Sequence, residues 1–233
     1  MLALVFVAAA PCPAAAPISA QTVAATVDPI IEKSLAETGA PGASFILVQN
    51  GRVVYSKGYG FSDLARREKV DPARTVWPIA SITKTVTALA VMQLVDNGKV
   101  DLDTDINRYL KRLKVPSQGY GPLTLRQLLS HTGGLDELPG RQFDGTGTPP
   151  DMAAFLSTRL KRYRAPGLET AYSTYGIMLA AVALEDVTGE PYDRYVREHI
   201  FEPAGMTSAR FVERKGDEQG VATPYRLKDG KAE

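Results

Sequence analysis

Ser81 and Lys84 stand three residues apart in the run Ser81-Ile82-Thr83-Lys84. On a helix that spacing puts both side chains on one face. A serine hydroxyl is a poor nucleophile until a neighbouring base takes its proton. A lysine amine serves as that base only when burial or nearby positive potential lowers its pKa. Ser81 opens an apolar-periodic stretch, where a helix dipole and free backbone N–H groups favour developing negative charge. Ile79, Ile82 and Val86 are the apolar neighbours expected to desolvate the amine. The chemistry implied is attack on a carbonyl carbon with an acyl-enzyme on Ser81. Taken alone, the spacing better fits an N-cap serine followed by a solvent-facing lysine.

Other chemistries find less support. His131 and His199 are the only histidines, and no Gly-x-Ser-x-Gly elbow accompanies them, so a Ser-His-Asp triad is not indicated. His131, in Ser130-His131-Thr132-Gly133-Gly134, reads as a structural capping residue, and His199 as packing or surface. Cys12 is the single cysteine and lies in an Ala/Pro-rich leader, which excludes disulfides, thiol nucleophiles and zinc-thiolate sites from the body. Asp101-Leu102-Asp103-Thr104-Asp105 begins like a calcium loop. Its sixth position is Ile106 and its twelfth Arg112, so helix capping is the expectation. Net charge is +1, from 27 basic and 26 acidic residues, with no electrostatic footprint for nucleic acid. The basic runs at 111–114 and 161–164 read as solvated faces, and 145–150 as a loop connector.

The elements that must position these residues follow from pattern. Residues 28–38 have helical spacing, with Gly39 as the stop. Residues 43–49 and 52–59 flank Asn50-Gly51, a strong hairpin signal, and 62–74 read as loop. The clearest helix covers 81–96, with Ile82, Val86, Leu89, Ala90 and Leu94 near one stripe and Asn97-Gly98 closing it. Shorter helices are expected at 104–110, 124–130, 151–160, 175–188 and 192–200, and incipient strands at 209–212 and 221–227. At 44% hydrophobic and 23% charged, 233 residues suffice for one globular domain. A lone hairpin is marginal, so more strands are expected beside it.

The apolar run from Leu2 to Ala10 is shorter than the ~18 residues a membrane span needs. With the small-residue tract ending at Ala20, residues 1–20 fit a signal peptide and imply a secreted or periplasmic protein. At the other end, 225–231 read as a strand entering the Asp229-Gly230 turn with no returning strand. Residues 21–233 are therefore expected to be the N-terminal portion of a single longer domain.

The segment from Trp77 to Ala88 resembles the serine β-lactamase and penicillin-recognising superfamily, in the branch of class C β-lactamases, family VIII esterases and D-Ala-D-Ala carboxypeptidases. Further segments agree in order: Pro41-Gly42-Ala43, Asn97-Gly98-Lys99-Val100-Asp101-Leu102-Asp103, Leu128-Leu129-Ser130-His131-Thr132-Gly133-Gly134-Leu135, Tyr172-Ser173-Thr174-Tyr175-Gly176 and Glu202-Pro203-Ala204-Gly205-Met206. The resemblance implies an α/β (α+β) fold of β-lactamase/transpeptidase type: an antiparallel sheet plus a mostly helical subdomain. It implies Ser81 as nucleophile, Lys84 as proton acceptor or its electrostatic partner, and Tyr172 as a proton shuttle. It implies no cofactor or metal, and a small-molecule ester, amide or peptide substrate. Thr174 stands where the family has asparagine, which bears on β-lactam and peptide recognition more than on acylation. No Lys-Thr-Gly-like third motif, the strand that carries a second oxyanion donor, follows Tyr172. A rival reading is a non-catalytic or slowly acylating ligand-sensing member.

Overall fold

The computed structural model describes residues 17–135, 151–211, 219–228 and 231–232. Cys12 and nearly all of the leader, the 145–150 connector, Val212 and the Asp229-Gly230 turn lie outside the described residues. The chain forms two compact units, residues 1–78 with 220–233, and residues 79–219.

The first unit is a helix on a small antiparallel sheet of order β1-β2-β3. Strands β1 (Gly42–Gln49) and β2 (Arg52–Asp63) form the expected hairpin. Asn50 and Gly51 both take positive φ, 51° and 71°, the requirement of a two-residue turn that matches strand twist. Strand β2 outruns the expected 52–59 and pairs at its end with β3 (Glu68–Lys69), inside the stretch read as loop. Helix α1 covers Ala20–Thr38, eight residues longer at its start than expected. Proline suits the first turn of a helix, yet Pro29 stands in the helix interior. Ser19 caps the helix, its side chain accepting from the Thr22 N–H, and the helix runs through Pro29. The expected end of the leader thus coincides with the first helical residue.

The Asp28 carboxylate anchors α1 to β2. It accepts from the hydroxyls of Tyr55 and Tyr59, each at 2.6 Å, and from Lys57 Nζ at 2.5 Å. Lys57, Tyr55 and Tyr59 together lower its pKa from the ordinary 3.8 to about 2. A depressed carboxylate contributes stability above its unfolded pKa and loses it as pH falls through the folded value. The stability gap between wild type and Asp28→Asn should therefore be full above about pH 4 and close towards about pH 2, read from urea midpoints. A gap unchanged at pH 2 would show that the ionised contact is not its source.

The segment after Gly220 joins this unit by specific bonds rather than as the expected strand over 221–227. Val221 makes a single parallel bridge to Val76, and Thr223 Oγ1 donates to Asp63 at 2.7 Å. Strand β4 is only Leu227–Lys228, and it does find a return partner in β5 (Lys231–Ala232), with Lys228 opposite Lys231.

The second unit holds the large hydrophobic core. Helix α2 (Thr83–Asp96) buries Thr87, Ala90, Val91 and Leu94. That face differs from the expected stripe: Ile82 is 63% exposed and Leu89 49%. Helix α2 is apolar on nearly all sides, so periodicity alone could not say which side faces inward. Helix α3 (Leu125–Leu129) opens with a capping box between Thr124 and Gln127. Helix α4 (Met152–Ser157) is capped by Asp151. Helix α5 (Thr174–Thr188) is the central element, buried over most of its length and ended by Gly189 at φ 74°. Helix α6 (Tyr192–Val196) loosens into a π-helical turn over Arg197–Phe201.

The helix expected at 104–110 is only a 3₁₀ turn, Ile106–Arg108. Its polar groups have tertiary partners instead: the Asn107 side chain bonds both the N–H and the C=O of Val115, and the Ile106 N–H donates to Leu123 O. No strand forms at 209–211; Phe211 packs against Tyr192 and Phe201. The two basic runs are not simply solvated. Arg112 binds Asp151, Glu185 and the buried Asp186, and Arg162 is buried beside the Tyr120 ring. Asp101 and Asp105 accept local backbone N–H bonds, as capping predicts.

Candidate active site

Ser81 sits in a 3₁₀ turn, Ala80–Ile82, that leads into α2, and Lys84 lies in the first turn of that helix. The 3₁₀ turn and helix together bring Lys84 Nζ to 3.1 Å from Ser81 Oγ. Ala80 holds φ 43°, a left-handed backbone that costs a residue with a β-carbon of order 1–3 kcal/mol. This strained residue directly precedes the serine. Ser81 stands in the opening turn of this helical stretch, where the first backbone N–H groups lack the partner one turn earlier that later ones have.

Tyr172 reaches the same oxygen from 91 positions away. Its hydroxyl donates to Ser81 Oγ at 2.7 Å, and its ring centroid lies 4.9 Å from Lys84 Nζ. Ser81 Oγ therefore accepts from two acids at once. If either partner gives up its proton, the same contact reverses and the serine hydroxyl becomes the donor. Among the described residues Lys84 has no carboxylate partner. The burial expected of its surroundings is only partial: Lys84 is half-buried, and Ile79 and Ile82 are exposed. Both residues belong to the irregular run and first 3₁₀ turn before α2, not to its packed face.

Thr174 is the first residue of α5 and half-buried. It is not among the partners of Lys84 Nζ. Between it and Tyr172, Ser173 is buried and caps α5 by accepting from the Gly176 N–H at 3.1 Å.

His131 lies closer to this site than a capping role required. Its N–H does bond Leu128 O at the end of α3. Its ring also lies beside that of Tyr172, centroids 4.6 Å apart, and its Nδ1 accepts from the Ser173 N–H at 3.2 Å. No periodicity or spacing signal links positions 42 apart in sequence, so only the folded chain pairs them. His199 is remote from these residues in role: it stacks on Tyr195 and faces Glu190.

The Beta-lactamase family profile matches residues 27–233. The chain belongs to that family. Solved structures agree. The octameric penicillin-binding protein homologue from Pyrococcus abyssi is 29% identical, with a TM-score of 0.75 over 89% of this chain and 49% of its own. EstCE1, a hydrolase with promiscuous acyltransferase activity, is 25% identical, with a TM-score of 0.74 over 91% of this chain and 59% of its own. The β-lactamase/D-alanine carboxypeptidase from Yersinia pestis is 27% identical, with a TM-score of 0.73 over 88% of this chain and 59% of its own. The fold is of β-lactamase/transpeptidase type, and both family and fold are those of serine hydrolases. The chain spans 41% to 49% of the length of the curated relatives it matches.

Proposed function

We propose that this β-lactamase-family protein is a secreted serine acyl hydrolase that forms an acyl-enzyme on Ser81. The observation that carries the reading is the convergence of Lys84 Nζ and Tyr172 Oη on one serine oxygen, at 3.1 and 2.7 Å. Ser81 Oγ bonds to the carbonyl carbon while its proton passes to Lys84 or Tyr172, whichever is unprotonated. The Ser81 N–H donates to the oxyanion. Collapse breaks the bond to the leaving group, which takes the proton from Tyr172. Water then attacks the acyl carbon, its proton passes through the relay to Ser81 Oγ, and the bond from that oxygen to the acyl carbon breaks. The apolar leader makes the secreted location part of the proposal; among the described residues no helix is long and apolar enough to cross a membrane.

The substrate is an ester, or an amide whose carbonyl needs little outside support. The reason is Thr174, which offers one donor on a short arm where an asparagine amide would offer two donors and an acceptor. Thr174→Asn should raise β-lactam turnover relative to p-nitrophenyl ester turnover by about tenfold, the worth of one added hydrogen bond. An unchanged ratio would remove Thr174 from the account of specificity.

The sparse hold on Lys84, a single hydrogen bond and a ring contact among the described residues, favours one second reading: a member that acylates and releases slowly, acting as a ligand sensor. Intact-mass measurement after a fluorophosphonate and after a penicillin separates the two. Ester turnover with one adduct on Ser81 supports the hydrolase. A lasting penicillin adduct without turnover supports the sensor. No adduct with either probe rejects both.

A further inference from the structure

The phenol of Tyr172 reaches Ser81 Oγ from the irregular stretch just before α5. The residue is 57% exposed, and an exposed side chain changes rotamer within nanoseconds unless something holds it. Besides its contacts with Ser81 and Lys84, the residue is restrained by His131. The carbonyl of His131 accepts from the Ala171 N–H at 2.8 Å, and its Nδ1 accepts from the Ser173 N–H at 3.2 Å. The residues on both sides of Tyr172 are thus tied to His131. The imidazole also lies against the tyrosine ring, with centroids 4.6 Å apart and planes at 37°.

We propose that His131 is a positioning residue, whose carbonyl, Nδ1 and ring together clamp Tyr172 in the orientation that presents its phenol to Ser81. This rests on the acyl-enzyme reading, in which that phenol carries a proton. The fold supports the clamp from below. The capping box of α3 fixes the helix, and the Thr132 N–H bonds back to Gln127 O at 2.8 Å. His131 then takes φ 58°, a left-handed turn that directs the following residues along the 162–171 segment. Gly134 O accepts from Tyr163 N–H and Thr132 O from Gly167 N–H, at 2.9 and 2.7 Å. Gly134 is needed there, because a Cβ would stand 2.2 Å from Arg164 O. Accepting at Nδ1 requires that nitrogen to be unprotonated, so the neutral ring carries its proton on Nε2.

The left-handed backbone selects the test variants. His131→Gly removes acceptor and ring without strain at φ 58°. His131→Asn keeps a side-chain acceptor on a residue that tolerates that conformation, and loses only the ring. Fluorophosphonate labelling of the full chain should slow about 10- to 100-fold in His131→Gly and recover to within about threefold of wild type in His131→Asn. In a Tyr172→Phe background, His131→Gly should cause no further slowing, because the clamp acts through the phenol. Slowing by the same factor in both backgrounds, or none in His131→Gly, would overturn the proposal. Amide NMR gives a reading independent of activity: the Ser173 resonance should move upfield in His131→Gly and stay near its place in His131→Asn. If wild type is not labelled at all, the acyl-enzyme reading has failed, and an unmoved Ser173 resonance would overturn the clamp as well.

Discussion

Fluorophosphonate labelling is expected to vanish in Ser81→Ala, and p-nitrophenyl ester turnover to fall by about 10⁴-fold or more. The phosphonyl group needs an oxygen nucleophile, and the Ser81 hydroxyl has both an amine and a phenol against it. Alanine keeps the 3₁₀ turn and the strained Ala80 before it, and removes one oxygen. Ser81 is exposed, so its loss opens no cavity in the core, and the variant should melt like wild type. A thermal melt run beside the labelling assay checks that point. Persistence of the adduct, mapped by peptide mass, would move the nucleophile elsewhere and dissolve the reading of Lys84 and Tyr172 as its partners.

The second large effect is on the proton. Tyr172→Phe keeps the ring against His131 and Lys84 and removes only the hydroxyl 2.7 Å from Ser81 Oγ. Proton transfer by a positioned side chain contributes about 10²- to 10⁴-fold, and a loss of that size is expected in acylation rate. Lys84→Met keeps a similar stem and removes the charge and the 3.1 Å donor, with a loss in the same range. Because both groups serve one proton, the double variant should be little slower than the worse single variant. Single-turnover labelling rates measure all three. Strict additivity would mean that Lys84 and Tyr172 act on separate events, and a Tyr172→Phe rate equal to wild type would leave Lys84 as the sole base.

Much of the fold was legible locally. The Asn50-Gly51 turn is written in two residues, since only such pairs take positive φ twice at low cost. The stops at Gly39 and Gly189 are likewise local, each a left-handed residue closing a helix. The errors share a cause. Helix α1 runs through Pro29 because Ser19 caps it upstream and β2 side chains hold Asp28 from across the sheet. Residues 104–110 fail as a helix because Val115 and Leu123 claim their polar groups. In each case residues outside the segment overrode its local preference.

The candidate site divides along the same line. That Ser81 and Lys84 face each other is a consequence of a three-residue spacing, and backbone geometry enforces it over one turn whatever the rest of the chain does. The arrival of Tyr172 beside them, the pairing of His131 with Ser173, the face of α2 that turns inward and the partial exposure of the lysine all depend on how α2, α3 and α5 pack. Contacts between residues 42 and 91 positions apart leave no periodic trace, because the free energy that selects them is the burial of a shared core rather than any property of the segments that meet.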